Sequence, residues 1–255
     1  MWENECMAAF ATEEFMKSVM HTSALVALAG LLCACATTPS TKSYVRSASK
    51  IRGIAIQPPG LPEQPSVQTL GDTETRFSFA SFPGMGDDNA EGRAAAAREL
   101  QDIFAKANYD YKKDLRESLQ SAFSKSGLPT IAVRGERPLK KRGKFLDECP
   151  PVPGADTCLD VFVTYVGFTA ADAATDYVPT VEMKAKLIRI ADNATLFQDQ
   201  IVYNAAAGTP GILAQTSGKY KFRDRDAMKA NPQAVTAAVQ EAVKSVATTL
   251  AKQFQ

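Results

Sequence analysis

Between residues 159 and 168 apolar side chains occupy both alternations of the chain. Leu159, Val161, Val163 and Tyr165 fall on one, and Phe162, Val166 and Phe168 on the other. A segment apolar on both faces predicts a strand in the middle of a sheet, covered on both sides. Residues 181–190 alternate instead. Val181, Met183, Ala185 and Leu187 face one way, while Glu182, Lys184 and Lys186 face the other, the pattern of a strand with one wet face. Asp192-Asn193 predicts a turn, and 196–203 returns as a strand with Phe197, Ile201 and Tyr203 inward. Shorter strand patterns lie at 51–57, stopped by Pro58-Pro59, at 75–82 through Phe77, Phe79 and Phe82, and at 130–133.

Helical spacing appears in two regions. From Arg93, the positions Ala94 to Ala97, Leu100, Ile103 and Phe104 form one stripe, with Asn108-Tyr109-Asp110 as an interruption. Tyr111, Leu115, Leu119, Ala122 and Phe123 then recur until Gly127 and Pro129 stop the helix. Near the end, Asn231 is expected to cap a helix that has Pro232 at its first position and Val235, Val239, Val243, Val246 and Leu250 as its buried stripe. Residues 60–92 are rich in Gly, Pro and Asp, and 208–225 read as a loop or irregular strand. Together these elements predict an α+β domain over 51–255: a mixed, antiparallel-rich sheet with two helices, 111–126 and 232–254, on one face.

The amino-terminal region is of another kind. Met16-Lys17-Ser18 opens a signal-like stretch, and 24–32 is an apolar run shorter than the ~20 residues that a membrane-spanning helix needs. A short transmembrane anchor is the alternative. Residues 1–15 carry four acids and no base, the wrong charge for a signal start, so translation is expected to begin at Met16. Leu32-Cys33-Ala34-Cys35 resembles the lipobox of bacterial lipoproteins. That resemblance implies cleavage before Cys35 and acylation of its thiol and its new amino group. Cys33 is the weaker choice, since Leu32 precedes it. In this family Asp after the acylated Cys retains the protein at the inner membrane. Here Ala36 follows, which implies the periplasmic face of the outer membrane of a Gram-negative cell. Residues 1–34 are thus expected to be a signal region and 35–50 a lipid-anchored flexible tether, whose fifteen residues after Cys35 would reach roughly 50 Å.

Composition narrows the chemistry. The only His is His21 and the only Trp is Trp2, both upstream of Cys35. A chain starting at Cys35 has no imidazole for acid–base work, a catalytic triad or a metal. It carries 28 bases against 24 acids, Lys17 and Glu3, Glu5, Glu13 and Glu14 having been set aside. That is too mild a bias for nucleic acid. No enzyme activity, metal or cofactor is expected. A carboxylate hydrolase would need a pair such as Asp172 with Asp176, which sit in a loop.

Residues 134–158 form a long loop that holds Arg134, Arg137, Lys140, Lys141, Arg142 and Lys144. It is either a solvated basic loop or a contact for anionic lipid, lipopolysaccharide or an acidic partner. Cys149 and Cys158, the only cysteines after Cys35, lie in the same loop and are expected to pair in an oxidising compartment, the alternative being two free thiols. Two thiolates without His fall short of a zinc site.

The 110–134 helix-to-strand unit and the 181–203 hairpin resemble the α/β domain of several envelope lipoproteins: the curli-secretion-channel family, the activators of penicillin-binding proteins and the TolB amino-terminal domain. The opening at 51–62 also resembles auxiliary lipoproteins of lipid-transporting ABC systems, whose typical Trp residues are missing here. The first resemblance implies a membrane-anchored, non-catalytic interaction module for envelope assembly or maintenance, with an envelope protein partner or self-association. The second implies an accessory of lipid or glycolipid transport.

Overall fold

The fourteen residues of one strand, Thr157–Ala170, organise the sheet. The structure is a computed structural model that describes residues 41–44, 51–69, 87–172, 174–204 and 209–255, all within the compact unit Ser40–Gln255. In chain order its strands are β1 (Ile54–Ile56), β2 (Ser66–Thr69), β3 (Thr130–Ala132), β4 (Thr157–Ala170), β5 (Val178–Arg189), β6 (Thr195–Tyr203) and β7 (Ile212–Leu213). Its helices are α1 (Asp87–Lys106), α2 (Tyr111–Lys125), α3 (Arg225–Ala230) and α4 (Pro232–Lys252).

The sheet order is β3-β1-β4-β5-β6-β7, with β2 also on β4. The β4–β5–β6 pairs are antiparallel, while β1, β2 and β3 join in parallel, as does β7 on β6. The fold is thus α+β with a mixed sheet. One edge of β4 is shared between β1, beside Thr157, Cys158 and Leu159, and β2, beside Gly167 to Ala170. Pro58, Pro59, Pro62 and Pro65 separate β1 from β2, because proline has no N–H to give to a ladder. In between, Gln57 donates to the Leu159 carbonyl of β4 at 3.0 Å, and Gly60 donates to the Val161 carbonyl at 2.8 Å and accepts from the Val163 N–H at 2.8 Å.

One face of the sheet carries the core. Leu159, Val161 and Val163 of β4, Val181, Met183, Ala185 and Leu187 of β5 and Phe197, Ile201 and Tyr203 of β6 are all nearly or fully buried there. Three long helices supply the other half of that core. On α4 the buried stripe is Val235, Ala238, Val239, Ala242, Val243, Val246, Ala247 and Leu250, whose small side chains let the helix lie close on β5 and β6. On α2 it is Tyr111, Leu115, Leu119 and Phe123. The helical layer holds α1 besides the expected two, packed over β2 through Ala96, Leu100 and Ile103. The interruption expected at 108–110 is real. Asn108 takes a left-handed φ of 52°, and Asp110 caps α2 by accepting from the N–H groups of Lys112 (2.8 Å) and Lys113 (3.1 Å).

Four expectations are corrected. A register shift between Val163 and Tyr165 moves Val166 and Phe168 to the helix side with Leu159, and Tyr165 to the opposite side. Asn231 stands before α4 but makes no side-chain cap; its amide donates instead to the Ala227 carbonyl at 3.2 Å and closes α3. The 208–225 region contains β7 and the start of α3, and Phe222 bridges Tyr177. Part of the expected free tether is laid on the sheet. Lys42 exchanges two backbone hydrogen bonds with Gln198 of β6, at 2.7 and 2.9 Å, and Tyr44 meets Phe254 edge-on at 5.5 Å. The strand expected at 75–82 lies outside the described residues.

Candidate functional site

Past β3 the chain leaves the helix side and crosses the opposite face of the sheet, where β4 presents Cys158, Asp160 and Phe162. Three attachments fasten it there. Cys149 and Cys158 are disulfide-bonded, with their Cα atoms 6.1 Å apart, and pack with Ile188 and Ile190 as a small apolar cluster separate from the main core. Phe145 meets Phe162 edge-on at 4.8 Å, with the Lys186 ammonium 5.9 Å from the centre of the Phe145 ring. Gly60 lets the loop approach: a Cβ there would stand 2.7 Å from the Phe162 Cβ and collide with the Arg142 carbonyl.

The third attachment is Arg137. Its side chain is 3% exposed and that of Asp160 0%. The guanidinium donates to Asp160 Oδ1 at 2.5 Å and approaches Oδ2 at 3.4 Å. Its remaining donors go to backbone carbonyls: Lys141 at 2.5 Å, Pro58 and Val161 at 3.4 Å, and Lys144. Asp160 in turn accepts the Leu146 N–H at 2.6 Å. One planar cation with five N–H donors therefore gathers a strand carboxylate, the proline segment and two carbonyls of the loop. This corrects the expectation for Arg137, which faces inward and offers no charge to an outside anion.

The other basic residues divide into two sets. Lys141 pairs with Asp147 at 2.6 Å, a contact that holds the exposed Asp147 carboxyl below its usual range, and Arg142 pairs with Glu63 at 3.2 Å. Arg134, Lys140 and Lys144 are exposed and have no ion pair among the described residues. One 3₁₀ turn, Leu139–Lys141, lies within this crossing segment, the arch, and Leu139 stands 71% exposed on it. Asp160 and Glu63 were missed as partners of the basic loop, and Leu139 as its exposed apolar side chain. A signal for Asp160 existed: a carboxylate inside a strand apolar on both faces has to find a buried cation.

Beside Asp160 lies Gln57, one residue beyond β1 and 4% exposed; its Nε2 finds no hydrogen-bond partner. On the helix side of the molecule, an open cleft of about 340 Å³ runs between α4 and the segment after β7. Gln215, Ser217, Glu241, Lys244 and Ser245 line it. Tyr203 donates to Glu241 at 2.7 Å there; burial first, then Glu241, pushes the phenol up to about 12. Asp172 and Asp176 are exposed, and Asp172 accepts the Ala174 N–H at 2.9 Å as part of the β4–β5 turn. Among the described residues no cluster of His, Cys, Asp or Glu is placed to hold a metal, and no helix is long and apolar enough to cross a membrane. Cys35 lies outside the described residues.

No family model matches the chain, and no curated protein matches it. Among solved structures it is similar to protein XCC0632 of Xanthomonas campestris, of the DUF330 family, at 15% identity over 84% of this chain and 90% of that one, TM-score 0.39. It is also similar to the PelC dodecamer of Paraburkholderia phytofirmans, at 12% identity over 84% and 96%, TM-score 0.31. A third likeness is to lipoprotein GNA1162 of Neisseria meningitidis, at 18% identity over 61% and 88%, TM-score 0.22.

Proposed function

We propose that this chain is an exported lipoprotein, acylated on Cys35 and held at the periplasmic face of the outer membrane of a Gram-negative cell. There it works without catalysis, as an interaction module in envelope assembly or maintenance that docks onto an envelope protein or onto itself. The observation that carries the reading is the clamped loop. A buried disulfide belongs to an oxidising compartment, in keeping with the signal-like segment upstream. Together with the Arg137–Asp160 pair it fixes a loop across the face of the sheet opposite the helices described, as a presented surface requires. Catalysis has little to draw on: Asp172 and Asp176 are solvated turn residues, and the cleft beside α4 is lined by hydroxyls, amides and charges. That lining suits an acyl chain poorly, which favours docking over lipid carriage.

Two measurements test the reading. Metabolic labelling with palmitate should mark the wild-type chain and leave Cys35→Ala unmarked; label on Cys35→Ala would overturn the anchor. Chemical crosslinking in native membranes should give one defined adduct, with a partner or a second copy. That adduct should fade when Cys149→Ser and Cys158→Ser release the loop. A chain that stays monomeric and uncrosslinked would end the interaction reading.

A further inference from the structure

Leu139 and Leu213 are the only large apolar side chains strongly exposed among the described residues, at 71% and 65%. Their settings differ. Leu213 sits on β7 at the sheet's edge, whereas Leu139 stands on the 3₁₀ turn of the clamped loop. The seven residues 138–144, Pro-Leu-Lys-Lys-Arg-Gly-Lys, contain four bases and no acid. We infer that this arch is a contact for an anionic bilayer surface, with Leu139 entering the boundary between headgroups and acyl chains while Lys140, Lys144 and the nearby Arg134 face lipid phosphates. The inference rests on the reading above, which holds the chain at a membrane, and names what one of its surfaces meets there.

Three features favour lipid over an acidic protein. A stable protein interface needs a contiguous apolar centre, and Leu139 is the one strongly exposed large apolar side chain of the arch, with Lys140 next to it in the chain. One apolar side chain with cations around it is the pattern of an interfacial segment, whose binding adds apolar burial to attraction for anionic lipid. Acids do pair with part of the basic set, Asp160 with Arg137, Asp147 with Lys141 and Glu63 with Arg142, so the charge left to face lipid is that of Lys140, Lys144 and Arg134, which have no ion pair among the described residues. Glu136 and Glu148 are exposed on the flanks, outside the turn itself. The arch is also set in advance. Arg137 turns the Lys141 and Lys144 carbonyls inward, so the conformation that docks is already made and little ordering cost remains.

The test uses the acylated chain in vesicles with a nitroxide probe on Leu139→Cys, compared with the same probe on Leu213→Cys. Collision with dissolved oxygen and with a polar relaxer reports depth. In phosphatidylcholine containing about one-third phosphatidylglycerol, the probe at 139 should report membrane depth and the probe at 213 should report water. In phosphatidylcholine alone, or at high salt, the probe at 139 should return to water. Lys140→Gln and Lys144→Gln should each lower the inserted fraction about fivefold. Both are exposed, so an unchanged cooperative melt accompanies a valid result. In unlabelled protein, Leu139→Trp should strengthen the anionic preference, since Trp favours the interface.

A probe at 139 as wet as the probe at 213 in anionic vesicles would overturn the inference. So would equal depth in both vesicle types. Loss of the crosslinked adduct in Lys140→Gln and Lys144→Gln, with no membrane depth at 139, would assign the arch to an acidic protein surface and leave the interaction reading standing. Failure of the anchor shows separately, as palmitate label on Cys35→Ala. An unacylated chain carries the same probe to the same vesicles, so depth at 139 is read in either case.

Discussion

The donors of Arg137 all point into the protein, and the cost of removing them follows from what they leave behind. Arg137→Met strands Asp160, whose side chain is 0% exposed, without its cation. Breaking one side of such a pair costs about 3–5 kcal/mol, so urea unfolding of Arg137→Met should show a loss of that order. Arg137→Met with Asp160→Leu should lose less than Arg137→Met alone, because no buried charge remains. Gln57 is the opposite case. Its Nε2 is buried without a partner, so Gln57→Leu should raise the unfolding free energy by about 1 kcal/mol in the same assay. Asp156 sets a pH dependence. Partial burial disfavours its charge, but N–H bonds from Gly53 and Arg52 and the Arg52 guanidinium outweigh that and hold its pKa below the usual range. Its contribution is therefore full above the unfolded carboxyl pKa of about 4 and is lost as pH falls through the lower folded value. Asp156→Asn should flatten the acid limb of stability against pH; an unchanged limb would exclude this carboxylate as a source. At this scale the sequence revealed the basic residues but not their engagement. Arg137 and Lys140 look alike in a string of letters, and only the approach of β4 separates them.

Elements with a strong period were legible, and those whose identity depends on a neighbour were not. The stripes of α2 and α4 and the alternation of β5 follow from side-chain spacing, and their helices and strands stand where expected. The register shift in β4 was hidden because a strand apolar on both faces gives no phase to read, so Val166 and Phe168 changed sides without a mark in the pattern. β7 has two residues and α3 six, too few for periodicity to rise above chance. The Lys42 bridge is made of backbone, and no side-chain pattern announces it. Asp110→Ala removes the acceptor for two N–H groups of α2 and should cost about 1 kcal/mol. Ending the chain at Asn231 removes α4, whose stripe fills the core over β5 and β6, and should abolish the cooperative thermal transition. A truncated chain that melts like the full one would make α4 peripheral.

Seen whole, the sheet is covered by two different means. One face is closed by helices whose apolar stripes form a single core, the other by a loop that has little apolar surface and is fastened with a disulfide, an ion pair and one ring contact. The two covers should fail separately. Cys149→Ser with Cys158→Ser should lower stability by roughly 2–3 kcal/mol and raise amide exchange in the loop, while exchange in α4 stays slow. Uniform acceleration across the chain would show the covers to be one cooperative unit. The bridge at Lys42 has a different consequence, for where the domain can travel. With the lipid on Cys35 as proposed, seven residues of chain rather than sixteen separate the anchor from the first fixed point of the fold. At ~3.3–3.6 Å per residue the leash is about 25 Å instead of roughly 50 Å. The volume above the membrane that lies within such a reach falls with its cube, about eightfold.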